Sequence, residues 1–228
     1  MPSEMPENFI PGSVVVEFGN ELLHLLPDRA IWWPFGQALI VADVHLGKDA
    51  AFRKAGFPVP AGGSEKDLGR LDHMLAMTGA RRLIVLGDLI HAKHSYQPEL
   101  FEAVLRWRQI HSSIEMLLVR GNHDRSAGLL PVEWDIRETQ ELTGDSGLML
   151  SHQPRYDQNL PVLAGHIHPV VILRDHDRST VRVPCFVFDE KCCAILPAFG
   201  TFTGGHPMDR QAGRRLFLTS GKKVVAVK

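Results

Sequence analysis

Apolar residues fall in short runs along this chain, and the spacing of those runs changes midway. Val14–Phe18 and Glu21–Leu26 read as two strands joined by a hairpin turn at Gly19-Asn20. Ala38–Val44 is the length of a buried strand and runs out in Asp43-Val44-His45. Leu68, Leu71, Leu75 and Thr78 then recur at helical spacing. Ser64, with Asp67 three residues on, predicts a capping-box start for that helix, and Gly79 is placed to end it. Leu83–Leu86 predicts the next buried strand. Pro98 opens a second helix whose apolar stripe is Leu100, Phe101, Val104, Leu105 and Trp107. Ile114–Val119 predicts a further strand. This half alternates strand and helix, as a layered α/β domain does. The second half is different. Leu148–Leu150, Val162–Ala164, Val170–Leu173, Val181–Phe188, Cys193–Leu196, Leu216–Thr219 and Val224–Val227 are strand-like runs separated by turn residues. No repeat or low-complexity linker divides the halves, so one domain over residues 1–228 is expected.

Composition narrows the classes. With 228 residues, 44% of them hydrophobic and 22% charged, the chain can bury a full core and is neither disordered nor a disulfide scaffold. Its net charge of −1 argues against binding nucleic acid by bulk positive charge. The first residues, MPSEMPENFIPGS, lack the basic segment of a secretory leader, and no apolar run approaches the roughly 18–20 residues that span a bilayer. Cys185, Cys192 and Cys193 are odd in number and show no CxxC spacing. They are expected as reduced residues on apolar strands, not as disulfides or a thiolate zinc site. A cytoplasmic protein without membrane attachment is expected. The unusual count is 12 histidines, residues that ligate metals and titrate near neutrality.

Polar residues break the pattern at five places, each just after an apolar run. They are Asp43-Val44-His45, Gly87-Asp88, Gly121-Asn122-His123-Asp124, His152 and Gly165-His166-Ile167-His168. In open α/β sheets, sites form where loops converge beyond the carboxyl ends of strands. Residues two apart on an extended segment face the same way, so Asp43 with His45, and His166 with His168, are expected to point together. Carboxylate, imidazole and one amide oxygen without thiolate suit a dinuclear manganese, iron or zinc site. Such a pair activates water and clamps the oxygens of an in-line displacement at phosphorus. Asp88, a lone carboxylate after a strand, is the natural bridge.

These five motifs, in this order, resemble the calcineurin-like metallophosphoesterase superfamily. Further stretches resemble its DNA ligase-associated members, which are proposed DNA-damage-response endonucleases encoded beside an ATP-dependent ligase. Those stretches are Gly47-Lys48, Ala51-Phe52-Arg53, Gly56, Pro58 and Pro60, then Val183–Phe186, Leu196–Gly200 and Phe202–Gly205. The resemblance implies a four-layer αββα sandwich with two mixed β-sheets. It implies two divalent ions, with manganese favoured and iron or zinc as alternatives. Asp43, His45 and His168 would hold one ion and Asn122, His152 and His166 the other, with Asp88 shared. It implies phosphodiester hydrolysis by a hydroxide bridging the metals, with His123 polarising the phosphoryl oxygen or protonating the leaving group and Asp124 orienting His123. DNA is the implied substrate, and an association with DNA ligase and helicase is implied as well.

Other residues have weaker standing. Lys48, Arg53, Arg125 and Arg155 lie near motif segments and are candidate phosphate contacts, though a plain surface role is the simpler reading of each. His91 and His94 follow Gly87-Asp88 closely and could line the cleft, with solvated loop histidines the simpler reading; His206 reads as either loop or rim. His24, His73, His111 and His176 read as surface or satisfied histidines. Trp32, Trp33 and Trp107 read as packing residues rather than base-stacking platforms. Two rival functions remain open from sequence. One is a phosphatase or phosphodiesterase of small nucleotides, which the near-zero charge suits. The other is a non-catalytic scaffold, disfavoured because every ligand position is filled.

Overall fold

A computed structural model describes residues 10–143, 147–156, 159–174 and 179–227. The first sheet begins with β1 (Val14–Phe18), β2 (Glu21–Leu26), β3 (Ala30–Trp33) and β4 (Ala38–Val41), an antiparallel series. Two helices follow, α1 (Lys48–Lys54) and α2 (Gly63–Thr78), then β5 (Arg82–Leu86). Helix α3 (Pro98–Ile110), β6 (Glu115–Val119), the short α4 (Asn122–Ala127) and β7 (Arg137–Thr139) complete this half. Strands β4 to β7 are parallel, and the sheet order is simply β1 to β7.

The second sheet takes β8 (Leu142–Thr143), β9 (Met149–Ser151), β10 (Val162–Ala164), β11 (Pro169–Arg174), β12 (Thr180–Asp189) and β13 (Cys193–Ile195). It also takes β14 (His206–Pro207), β15 (Arg214–Thr219) and β16 (Val224–Ala226). Its main path is β14-β11-β12-β13-β10-β9-β8, with β15 paired to β12 and β16 to β15. Strands β9, β10 and β13 are parallel and the rest mixed. The expected α/β sandwich of two mixed sheets is therefore present.

Alternation explains the layers. Leu39, Val41, Leu83, Val85, Met116 and Leu118 face Leu68, Leu71, Met74, Leu75, Val104 and Trp107 of α2 and α3. Their strand neighbours Ala38, Ile40, Ile84, Leu86, Leu117 and Val119 face Leu148, Leu150, Leu163, Phe186, Ala194 and Leu196 of the second sheet. The outward face of that sheet carries Met149, Val162, Cys185, Cys193 and Leu216. All described helices lie between Lys48 and Trp134, so helices cover the first sheet, and no described helix covers the outer face of the second.

Several local expectations need correction. The first parallel strand stops at Val41, not Val44, because Asp43 takes a left-handed φ of 55°. The Ser64/Asp67 capping box does not form. Helix α2 starts from Gly62 in left-handed backbone, Ser64 Oγ accepts the Gly47 N–H at 2.9 Å, and Asp67 accepts the N–H and hydroxyl of Thr201. Tertiary hydrogen bonds take both side chains away from the cap. Cys185 and Cys193 are buried and free, but Cys192 is an exposed turn residue. Trp32, Trp33 and Trp107 are core residues, as expected. His111 is satisfied by Asp72 at 2.6 Å, whereas His24 is nearly buried with an unpartnered Nδ1; His176 lies outside the described residues.

Candidate metal centre

The five motif segments converge at one edge of the sandwich, each leaving the carboxyl end of a parallel strand: β4, β5 and β6 from one sheet, β9 and β10 from the other. Asp43, His45, Asp88, His166 and His168 all adopt left-handed φ values, between 51° and 70°. The pairwise alternation expected of extended segments is thus not what gathers them. Each chain turns sharply at the ligand itself, in a region that Asp and His tolerate better than most residues. Glycines make the space. A Cβ on Gly87 would sit 2.0 Å from the His152 ring, one on Gly121 2.1 Å from Asp88 Oδ1, and one on Gly165 2.6 Å from Asp43 Oδ2.

Three groups of candidate ligand atoms result, one of them His45 with His91 and His123; the other two are built from motif residues alone. Asp43, His45 and His168 form one, with His168 Nε2 3.4 Å from Asp43 Oδ1. Asp88, His152 and His166 form the other. In it His152 Nε2 lies 3.0 Å from both His166 Nδ1 and Asn122 Oδ1. Asp88 Oδ2 lies 3.6 Å from His152 Nε2 and 4.0 Å from His45 Nε2, so it stands between the groups. The surroundings fix these side chains. His152 Nδ1 meets the Leu86 carbonyl at 3.1 Å, which leaves the Nε2 lone pair facing the cluster. Asp43 Oδ2 accepts the His166 N–H at 2.8 Å, and Asp88 Oδ1 accepts the His123 N–H at 2.9 Å.

The residues fit a pair of divalent ions. Asp43 Oδ1, both ring nitrogens of His45 and Nε2 of His168 are buried with no protein hydrogen-bond partner. Uncompensated buried polar atoms of this kind cost about 1–3 kcal/mol each, so a cluster of them calls for a cation. Burial drives the His45 pKa far below the ordinary value, reinforced by Lys48 and the neighbouring histidines, and burial and His152 lower that of His166. Neutral imidazoles are the form that binds metal.

His123 stands over this cluster, its ring centroid 4.9 Å from that of His45. Its Nδ1 lies 2.6 Å from the His91 carbonyl, so Nε2 is left for the site. Asp124 does not orient this ring. Its Oδ2 accepts the N–H of Asp88 at 2.7 Å and of Gly121 at 2.8 Å, and its Oδ1 that of Ile90 at 3.0 Å. Asp124 therefore starts α4 and ties down the Asp88 loop. His91, read from sequence as a solvated loop residue, is half-buried and stacks on His123 at 5.2 Å. Burial and then Lys48 push its pKa down to about 4. Its place after Gly87-Asp88 was the signal available in the sequence.

A family profile for calcineurin-like phosphoesterases matches residues 37–191, which hold every ligand position of the cluster. The chain belongs to the calcineurin-like phosphoesterases. It is 39% identical to the nuclease MPE of Pseudomonas putida, over 94% of this chain and all of that one, with a TM-score of 0.83. More distant are Yfce, a phosphoesterase from E. coli (18% identity, 79% of this chain and 86% of that one, TM-score 0.40), and AQ665 of Aquifex aeolicus (18%, 57% and 78%, 0.38). Comparison with curated proteins finds no match. This phosphoesterase is accordingly a metal-dependent enzyme of its class.

The four candidate phosphate contacts of the phosphoesterase separate. Lys48 lines a crevice with His45. Burial lowers its pKa, while Asp43 and Asp88 pull it back up. Arg125 and Arg155 line a hollow of about 160 Å³ with Arg120 and His152. Arg155 is paired there with Glu141, and Arg125 donates to the Arg120 carbonyl. Arg53 turns away, held by Asp49 and the Pro60 carbonyl, each at 3.1 Å. His94 and His206 are exposed; the His206 N–H donates to the His168 carbonyl at 2.9 Å, which puts it on the rim. Among the described residues, no helix is long and apolar enough to cross a membrane.

Proposed function

We propose that this phosphoesterase is a dinuclear phosphodiesterase acting on DNA, as one domain, in the cytoplasm and in a repair setting beside an ATP-dependent ligase and a helicase. The observation that carries the catalytic part is Asp88 Oδ2 standing between two His/Asp groups whose ring nitrogens face inward. Likeness to a nuclease along nearly the whole chain supports DNA as substrate. The stretches that resemble ligase-associated members, Val183–Phe186 and Leu196–Gly200 among them, support the repair setting.

Asp43, His45, His168 and Asp88 would hold one ion; Asn122, His152, His166 and Asp88 the other. Manganese is the metal that the family resemblance favours; the oxygen and imidazole ligands themselves admit iron and zinc equally. When bound, two divalent ions supply a nucleophile at neutral pH and neutralise charge on the phosphoryl oxygens. The chain's own residues do the rest. His123, with Nδ1–H donated to the His91 carbonyl, presents Nε2 to the leaving-group side; as the imidazolium it gives the Nε2 proton to the leaving oxygen as alkoxide charge develops and is left neutral with its hydrogen on Nδ1. Asp124 keeps Asp88 in register through three backbone N–H groups. Lys48 adds positive charge beside the cluster, and Arg125 and Arg155 offer donors to flanking phosphates.

One activity panel with added Mn²⁺ tests the reading. It compares an aryl phosphodiester, an aryl phosphomonoester, a cyclic nucleotide and linear DNA. Cleavage of the aryl phosphodiester and of DNA is expected. Turnover confined to the phosphomonoester or the cyclic nucleotide would replace the proposal with a small-nucleotide enzyme.

A further inference from the structure

A second cavity, of about 520 Å³, opens where the two sheets meet away from the histidine cluster. The β2–β3 turn supplies Pro27, Asp28 and Arg29. Helix α2 supplies Lys66 and Arg70, β12 supplies Val181–Pro184, and the β15–β16 turn supplies Thr219–Gly221. Thr201 lines it as well, while the adjacent Phe202 and Thr203 line the crevice beside His45, so one loop separates the two places. The volume lies within the roughly 300–1,000 Å³ typical of small-molecule sites.

Its charge is lopsided. Four cationic side chains line it, Arg29, Lys66, Arg70 and Arg182, against one acid, Asp28. Arg70 is spoken for. It donates to Asp67 at 3.0 Å and to the carbonyls of Phe199 and Asp28 at 2.8 and 2.7 Å, lies 3.6 Å from the Asp28 carboxylate, and stacks on the Phe199 ring. Its two acids are thereby already neutralised. Arg29, Lys66 and Arg182 have no ion-pair partner among the described residues. The Arg29 guanidinium, half-buried and close to Arg70, shows one side-chain hydrogen bond among them, to the Ala198 carbonyl at 3.3 Å. A guanidinium carries five N–H donors, so most of its capacity is unspent on the described residues, and Arg29 lines the cavity. Burial, and then Arg70, lower its pKa, while Asp67 and Asp28 pull it back up. Arg29 also holds a left-handed φ of 66°, which is uncommon outside glycine, asparagine, aspartate and histidine.

We propose that this cavity is an anion site that binds a phosphate group, with Arg29, Lys66 and Arg182 as its donors. It is separate from the metal centre and does not depend on what is cleaved there. The phosphate comes either from a nucleic-acid backbone or from free phosphate, and two arms distinguish the sources. In the first, inorganic phosphate is titrated calorimetrically into the manganese-loaded chain, the Arg29→Gln/Arg182→Gln double variant, and Lys66→Gln. In the second, a labelled single-stranded oligonucleotide is bound by the full chain in chelator, where no cleavage interferes, across a range of salt.

A free-phosphate site predicts one phosphate fewer per chain in the double variant, with oligonucleotide binding unchanged. A backbone site predicts weaker oligonucleotide binding in the double variant, with the slope of log K against log salt shallower by about 0.7 for each backbone phosphate no longer held. Lys66→Gln, an exposed helix-surface change that the fold tolerates, should weaken the same arm by roughly 2–5-fold, the weight of an exposed ion pair. Unchanged phosphate stoichiometry and unchanged oligonucleotide affinity in all variants would overturn the proposal. An aryl phosphodiester assay on the same preparations reads the metal centre separately, so failure of one idea does not mimic failure of the other.

Discussion

Asp43, His45, Asp88, His166 and His168 share a left-handed backbone conformation that costs most non-glycine residues about 1–3 kcal/mol and Asp and His less. Strain repeated at five ligand positions needs a compensating force, which cations bound there would provide. The identity of these residues was legible in the sequence, but the geometry was not. Alternation along an extended strand is not what gathers these residues: it keeps Asp43 with His45 but pairs His166 with His168, which fall in different groups, because the ligands sit in turns whose φ the sequence does not display. Asp124 shows the same limit. Its neighbour His123 suggested a catalytic pair, yet the carboxylate takes three backbone N–H groups that only the folded loops bring to it. Asp124→Ala should therefore cost stability, about 3–5 kcal/mol in urea unfolding, since three N–H groups lose a charged acceptor. An unchanged unfolding midpoint with lost turnover would return Asp124 to a chemical role. His123→Ala should behave oppositely, keeping both metals while turnover falls by about 10²–10⁴. Normal turnover in that variant would remove His123 from the mechanism.

At the scale of elements, the strands of the inner core were the most legible feature, because period-two burial on two faces writes itself into Leu39–Val41, Leu83–Val85 and Met116–Leu118. Strand β3 and helix α1 were missed. Helix α1 is short, and its Asp49–Arg53 pair at i,i+4 was the one local signal for it. The glycines of the motifs were visible, but their reason was not. Gly165 has no room for a methyl group because Asp43 Oδ2 occupies that space. Gly165→Ala should displace Asp43 and lower turnover by about 10², as misplacements near 1 Å do, while circular dichroism stays native. Metal should also knit these strand ends together. Manganese at a hundredfold excess over its Kd should stabilise the chain by about 2.7 kcal/mol, or roughly 5–10 °C in Tm. Chelator should reverse the shift, and an unmoved Tm would argue against a native metal site.

At the scale of the molecule, a net charge of −1 conceals local asymmetry. Arg120, Arg125 and Arg155 line a hollow beside His152, and Arg29, Lys66, Arg70 and Arg182 surround the cavity across the sheet junction. Arg125 and Arg155 stand out in the sequence as neighbours of motif segments, but their meeting with Arg120 in one hollow does not, and the second grouping is not legible at all, since it draws on segments far apart in the chain. The same separation holds for the metal centre, which takes three loops from one sheet and two from the other. Order and residue type made that site readable, whereas scattered arginines carry no such order. Everything proposed for catalysis turns on Asp88 joining two metal sites in one hydrolytic centre. Manganese stoichiometry and aryl phosphodiester turnover, measured side by side in the native chain and in Asp88→Asn, probe that role without an intermediary. The native chain should bind two ions and turn over; the variant should lose tight binding of both and all measurable turnover. Two tightly held ions with undiminished turnover in Asp88→Asn would rule out Asp88 as the bridge.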